Sequence, residues 1–194
     1  MWPKTLDLPR LYTHSIIKEN CMICIVSGTN RKASNSLKVA QGYMDMLETQ
    51  GAEVELIDLA RLPLNVAFSE LYGERSEDYT QEFILKVEKA EKFVFVIPEY
   101  NGGFPGILKL FIDSLPPTIL HKKKAGLIGL SSGMTGALRP MDQFSNVLNY
   151  LQIDVIASKP KLSGIEQMID SDGKLSDARC LKLLHDHAEQ MIAF

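Results

Sequence analysis

Ile97-Pro98-Glu99-Tyr100-Asn101-Gly102-Gly103-Phe104-Pro105-Gly106 is the stretch on which the fold turns. It follows an unbroken apolar run, residues 93–97, with the length and composition of a buried strand. It precedes a helical pattern, in which Phe104, Ile107, Leu108, Phe111, Ile112 and Leu115 recur at i, i+3, i+4 and i+7. The loop between them holds residues that permit tight backbone paths (Pro98, Gly102, Gly103, Gly106) beside polar and aromatic groups (Glu99, Tyr100, Asn101). Open parallel sheets build their ligand sites at strand-loop-helix junctions of this kind. Taken alone, the stretch also reads as an ordinary βα turn.

The same alternation extends in both directions. Residues 22–26 read as a first buried strand, followed by a loop of hydroxyls and amides over 27–36. A helix carrying Leu37, Ala40, Met44 and Leu47 comes next, closed by Gly51. Residues 53–58 alternate polar and apolar, as a half-buried strand near an edge does. Residues 59–78 contain Pro63 and Gly73 and are long for a connection, a length usual in lids and interface segments. Phe83, Ile84, Val87 and Ala90 mark a second helix. The helix after the opening loop ends before Pro116-Pro117.

Residues 125–130 give a fourth buried strand, trailed by the loop Ser131-Ser132-Gly133-Met134-Thr135-Gly136. A helix with Met141, Phe144, Leu148 and Leu151 and a short fifth strand at Val155-Ile156 follow. Residues 159–173 read as irregular, and a last helix from Leu175 carries Ala178, Leu181, Leu184, Ala188 and Met191 on one face. Five strands alternating with five helices imply right-handed crossovers and a parallel sheet covered on both sides. The fold class is α/β. Strand count and length suit a flavodoxin-like three-layer α/β/α sandwich, a five-stranded parallel sheet in the order 2-1-3-4-5. Its ligand crevice lies at the carboxyl ends of strands 1 and 3.

The chain has 194 residues, 45% hydrophobic and 23% charged, which suits one medium domain with a substantial core. Residues 21–194 form that domain, and residues 1–20 read as an extension before it; an expression remnant or a misassigned start is the alternative. The extension lacks the apolar centre of a secretory signal, and Asp7 and Glu19 weigh against a transit peptide. A net charge of −3 argues against nucleic acid or a polybasic membrane contact. No apolar run approaches the roughly 20 residues that cross a bilayer. Three cysteines, an odd number, suit a reducing cytoplasm. Cys21-x-x-Cys24 is read as strand packing, because Cys24 falls inside an apolar run rather than opening a helix. Lys122-Lys123-Lys124 reads as a solvated charge run. The four histidines show no ligand-like grouping, and His185 and His187 cannot share a helix face. No metal site is expected.

The first loop has the chemistry of an anion site. Ser34 at the N-cap, with Asn35 and Ser36 in the first turn, supplies hydroxyls, an amide and free backbone N–H groups at the positive end of the helix dipole. Thr29 and Arg31 add a hydroxyl and a cation. Neither a Walker loop nor a dinucleotide fingerprint is present here, which leaves a terminal monophosphate. These residues are equally compatible with a plain helix cap and a solvated Arg31.

Ser27-Gly28-Thr29-Asn30-Arg31 with Ser34 and Ser36, together with Pro98-Glu99-Tyr100-Asn101-Gly102 and Pro105-Gly106-Ile107-Leu108-Lys109, resembles the NADPH-dependent FMN reductase family. That family includes flavodoxin-fold quinone, chromate and azo-dye reductases. The resemblance runs from about residue 22 to 164, and its Pro-Glu-Tyr-Asn-Gly motif is its most specific part. It implies FMN as cofactor and NADPH or NADH as electron donor. By resemblance, Thr29, Arg31, Ser34, Asn35 and Ser36 match phosphate-binding positions; Pro98, Glu99, Tyr100, Asn101 and Gly102 match the loop along the isoalloxazine ring. Ser131, Ser132 and Gly133 fall where the third loop borders it. Gly103-Phe104 and Leu110-Phe111-Ile112-Asp113-Ser114 depart from the common family pattern, as do the fewer glycines of the third loop. The resemblance further implies a homodimer or homotetramer and a small-molecule acceptor. No residue is singled out as catalytic, since the flavin carries the chemistry; Tyr100 is a candidate for stacking on substrate. The expected function is an FMN-dependent NAD(P)H oxidoreductase in the cytoplasm, reducing quinones or similar acceptors (flavin, azo compound, chromate). An FMN electron carrier without NAD(P)H oxidase activity, and a flavin-free scaffold protein, are the alternatives.

Overall fold

A computed structural model of the chain describes residues 21–71 and 75–194; the expected extension over residues 1–20 lies outside them. In chain order the elements are β1 (Ile23–Ser27), α1 (Asn35–Thr49), β2 (Val54–Asp58), α2 (Val66–Ser69) and α3 (Glu77–Tyr79). The last runs through a π turn at Thr80–Ile84 into α4 (Leu85–Lys89). Then come β3 (Lys92–Pro98), α5 (Gly106–Ser114), β4 (Lys124–Ser131), α6 (Leu138–Tyr150), β5 (Asp154–Val155), β6 (Lys161–Ser163) and α7 (Ala178–Ala193).

The sheet is parallel throughout and ordered β2-β1-β3-β4-β5, the flavodoxin-like order. The three apolar runs occupy its centre: every residue of β1 and β3 is buried, as is β4 between its two ends. The alternating segment β2 sits at the edge, with only Ile57 buried. Strand side chains alternate between faces, so each face carries its own core. One joins Phe93 and Phe95 to Phe83, Phe111 and Phe144 of the helices that cover it. The other joins Ile25, Val94 and Ile128 to Tyr43 of α1 and Leu184 of α7. At roughly 1.5–3 kcal/mol per large side chain removed from water, these two layers are the main force holding the sandwich together.

Several expectations are corrected. The sheet has a sixth strand, β6, inside the stretch read as irregular. It pairs with Gly129, Leu130 and Ser131, while β5 pairs with Lys124 and Ala125, so two short strands share the edge beside β4. A three-residue strand with one buried side chain has too little alternation to stand out in sequence. The last helix starts at Ala178, with Asp177 capping Cys180 N; Leu175 instead bridges to Ile169. In α1 the buried face is Val39, Ala40, Tyr43 and Leu47, so Tyr43 takes the place expected for Met44.

The lysine run is not solvated as a whole. Lys123 Nζ donates to the carbonyls of Val87, Glu88 and Ala90 at 2.6–2.9 Å and lies 5.7 Å from the Phe93 ring centre. It satisfies the open carbonyls at the end of α4, and burial lowers its pKa. Lys124 lies over the Phe194 ring at 5.0 Å, and only Lys122 is exposed. Cys24 is buried as expected, and burial pushes its thiol up to about 12.

Candidate functional site

At the carboxyl ends of β1, β3 and β4, three loops and one turn converge on a cleft of about 270 Å³. Arg31, Ser34, Asn35, Ser36, Pro98, Glu99, Tyr100, Ser131 and Ser132 all line it, so most of the residues singled out in the sequence come together here. Thr29, Asn101, Gly102 and Gly133 lie outside that lining.

The first loop leaves β1 through Gly28, whose N–H donates to Val96 O of β3 at 2.9 Å. A Cβ at Gly28 would stand 2.8 Å from that carbonyl, so only glycine permits this approach of loop to strand. The chain then turns through Ala33, at φ 49°, and places Ser34 at the N-cap of α1. Ser34 Oγ accepts from Leu37 N at 3.1 Å, and its own O–H is left to donate. Asn35 and Ser36 open the helix, where backbone N–H groups have no carbonyl one turn back. Residues 28–36 contain Arg31 and Lys32 and no carboxylate. This donor set, at the positive end of a 15-residue helix, suits a phosphate.

The second loop is a two-residue hairpin. Tyr100 and Gly103 exchange backbone hydrogen bonds at 2.9 and 3.0 Å, and Asn101 (φ 51°) and Gly102 (φ 79°) form the turn between them. Positive φ at both central positions is the type I′ pattern, for which Asn-Gly is the preferred pair. The turn explains why those two residues lie off the cleft while Pro98, Glu99 and Tyr100 line it. Tyr100 is tied to the first loop, its hydroxyl 2.7 Å from the Oγ1 of the buried Thr29. Thr29 Oγ1 also accepts from Arg31 N at 3.3 Å. Thr29 is thus the joint between the loops, and the Tyr100 ring is fixed rather than free.

The third loop is laced to β6. Ser131 Oγ donates to Gly133 O at 2.9 Å, Gly164 N donates to the same carbonyl at 3.3 Å, and Ser163 Oγ donates to Met134 O at 2.8 Å. Glu99 is clasped from this side, accepting from Thr135 Oγ1 at 2.7 Å and pairing with Arg139 at 3.2 Å. Ser132 Oγ donates to Glu166 Oε1 at 2.5 Å, which holds the Glu166 carboxyl below the usual carboxylate range.

Lys32, Ala33, Leu130, Ile165 and Glu166 complete the lining and were not anticipated. Lys32 had a signal, its place in a carboxylate-free loop. Ile165 and Glu166 had none, because their approach depends on β6. The long connection after β2 is pinned on the far side: Arg75 Nε donates to Ser114 O at 2.8 Å, and Glu70 accepts from Ser76 N and Oγ at 3.0 and 3.1 Å.

The model of the family described as NADPH-dependent FMN reductase matches residues 21–164. An NAD(P)H-dependent FMN reductase of Pseudomonas aeruginosa is 26% identical over 171 residues, covering 86% of this chain and 90% of that protein. An NAD(P)H:quinone oxidoreductase of Solanum tuberosum is 30% identical over 158 residues, covering 77% and 80%. Among solved structures, the flavoenzyme NAD(P)H:acceptor oxidoreductase FerB of Paracoccus denitrificans shares the fold at a TM-score of 0.70 and 20% identity, over 89% of this chain and 96% of that one.

Proposed function

The chain belongs to the NADPH-dependent FMN reductase family, and from that premise we propose that its cleft holds FMN and passes electrons from NADPH or NADH to quinones or similar small acceptors. The observation that carries the reading is the joined pair of loops. A carboxylate-free, doubly basic loop at the start of α1 is locked through Thr29 to the Pro-Glu-Tyr-Asn-Gly loop on the neighbouring strand. A phosphate site and a ring site are thereby held at a set separation.

In this reading Arg31 and Lys32 neutralise the phosphate, while the hydroxyls of Ser34 and Ser36, the Asn35 amide and the first N–H groups of α1 orient it. Pro98, Glu99 and Tyr100 run beside the ring, Ser131 and Ser132 border it, and Asn101, Gly102 and Gly133 shape the backbone of those loops outside the lining. Thr29 works through Tyr100 and the Arg31 backbone. Bound FMN supplies the two-electron exchange between nicotinamide and acceptor; the protein supplies binding, orientation and an open face. No side chain is assigned a proton-transfer role.

The family of nicotinamide-dependent reductases favours the enzyme over an electron carrier. The working form is a homodimer or homotetramer in the cytoplasm, its functional domain running over residues 21–194 behind an extension at 1–20. Nearly full exposure of Leu64 and Phe68 beside the pinned connection supports association. No helix among the described residues is long and apolar enough to cross a membrane.

The deciding experiment is spectroscopic. Protein mixed with FMN should retain a yellow flavin spectrum after desalting, and anaerobic NADPH or NADH should bleach it on a catalytic timescale. Loss of the flavin on desalting would refute the site. A bound flavin that neither nicotinamide bleaches would leave the carrier.

A further inference from the structure

The charges around the cleft leave one carboxylate unbalanced. Arg31 and Lys32 line one side, and a phosphate monoester, at about −1.5 to −2 near neutral pH, balances them. Glu99 is balanced by Arg139 and further held by Thr135. Glu166 also lines the cleft, and among the described residues it forms no ion pair with a lysine or arginine. Its one side-chain partner here is the neutral hydroxyl of Ser132.

The position of this carboxylate is built. The pairing of β6 with Gly129, Leu130 and Ser131 delivers the chain to Gly164, which turns at φ 66° into a short 3-10 segment, Ile165–Met168. Ile165 is buried against the α1 and α7 core and anchors that segment, so its neighbour Glu166 faces solvent at the cleft. The Ser132 hydroxyl then selects the orientation of the carboxylate. A surface charge without such supports would sample many positions and exert little directional effect.

We infer that Glu166, oriented by Ser132, is a specificity-determining residue that turns away anionic electron acceptors while leaving uncharged and cationic ones unhindered. The inference rests on reading the cleft as the FMN site and names the acceptor class that site favours. Two like charges about 8 Å apart, at an effective dielectric between that of a protein surface and that of water, change a binding constant on the order of fivefold. Added salt screens such an effect.

The test compares 1,4-naphthoquinone with its 2-sulfonate in the FMN-loaded wild type, in Glu166→Gln and in Glu189→Gln. The last variant removes an equal charge from the remote, exposed face of α7. The ratio of kcat/KM for the neutral over the sulfonated quinone should fall about fivefold in Glu166→Gln, should stay at the wild-type value in Glu189→Gln, and should fall with added salt in the wild type. Calorimetric titration of each purified protein with each quinone, without nicotinamide, supplies a readout independent of turnover. Tighter binding of the sulfonate by Glu166→Gln, with neutral-quinone binding unchanged, supports the inference. An unchanged ratio, an equal shift in both variants, or no measurable binding of either quinone overturns it. Absence of turnover with both NADPH and NADH in the wild type would refute the proposed function instead, and the titrations would still decide the role of Glu166.

Discussion

At the scale of single residues, Arg31 and Gly28 make separable contributions. Arg31 is exposed and lines the cleft, so Arg31→Ala removes a phosphate partner and no core contact. Loss of one charge-assisted hydrogen bond, about 1.5–3 kcal/mol, should weaken FMN binding roughly 10- to 100-fold. Fluorescence titration of the apoprotein reads this, and its melting should stay near that of the wild type. Gly28→Ala acts oppositely. Its Cβ would meet Val96 O at 2.8 Å and Leu108 Cδ2 at 3.3 Å, so the apoprotein should lose about 1–3 kcal/mol in urea unfolding. Residue types were informative where their chemistry is local: the Ser34 cap and the anion-site character of the first loop both read directly. Thr29 did not, because a threonine after a strand looks alike whether it faces ligand or, as here, a tyrosine hydroxyl from another loop.

Between elements, α1 and α7 meet through a buried pair, Tyr43 OH and His187 Nδ1 at 2.7 Å. His187 Nε2 is buried without a partner among the described residues, and Gly126 of β4 gives the ring its room. Burial lowers the His187 pKa to about 4 from an ordinary 6.5. Above 6.5 both folded and unfolded chains hold it neutral, and its contribution to stability is whole. As pH falls below 6.5 the unfolded chain takes a proton that the folded chain refuses, and stability drops until about 4, where the folded chain is protonated too. The loss over that window should be about 3 kcal/mol. Urea unfolding at a series of pH values reads it, and the double variant Tyr43→Phe, His187→Leu should flatten the curve there. A slope unchanged in that variant would assign the acid sensitivity to other groups. Helical spacing alone had put Met44 inward and left His187 off the buried face of the last helix. Which residue of a broad apolar stripe turns inward depends on the facing helix, and α7 offers Tyr43 a polar partner.

For the whole molecule, cofactor and fold are thermodynamically linked. If FMN binds only the folded chain, FMN at a hundredfold excess over its dissociation constant adds about 2.7 kcal/mol, which should raise the melting temperature by roughly 5–10 °C. Arg31→Ala at the same FMN concentration should keep much less of that rise. Sedimentation at micromolar concentration should give a dimer or tetramer mass, and charging the exposed apolar pair by Leu64→Glu, Phe68→Glu should shift it toward the monomer. A monomer in the unaltered protein would refute the proposed assembly.

The sequence by itself determined the layer architecture, the strand order and the loops that carry polar chemistry. Those follow from buried apolar runs, helical periodicity and turn residues, which act over a few neighbouring positions. Only the tertiary structure decided which members of those loops face the cleft, that Thr29 joins two of them, and that Lys123 caps a helix rather than meeting water. It alone brought Glu166 to the rim. Those outcomes rest on pairings across 30 or more residues, Ser132 with Glu166 among them. The energy of such a contact depends on where a distant strand docks, and no local pattern records that.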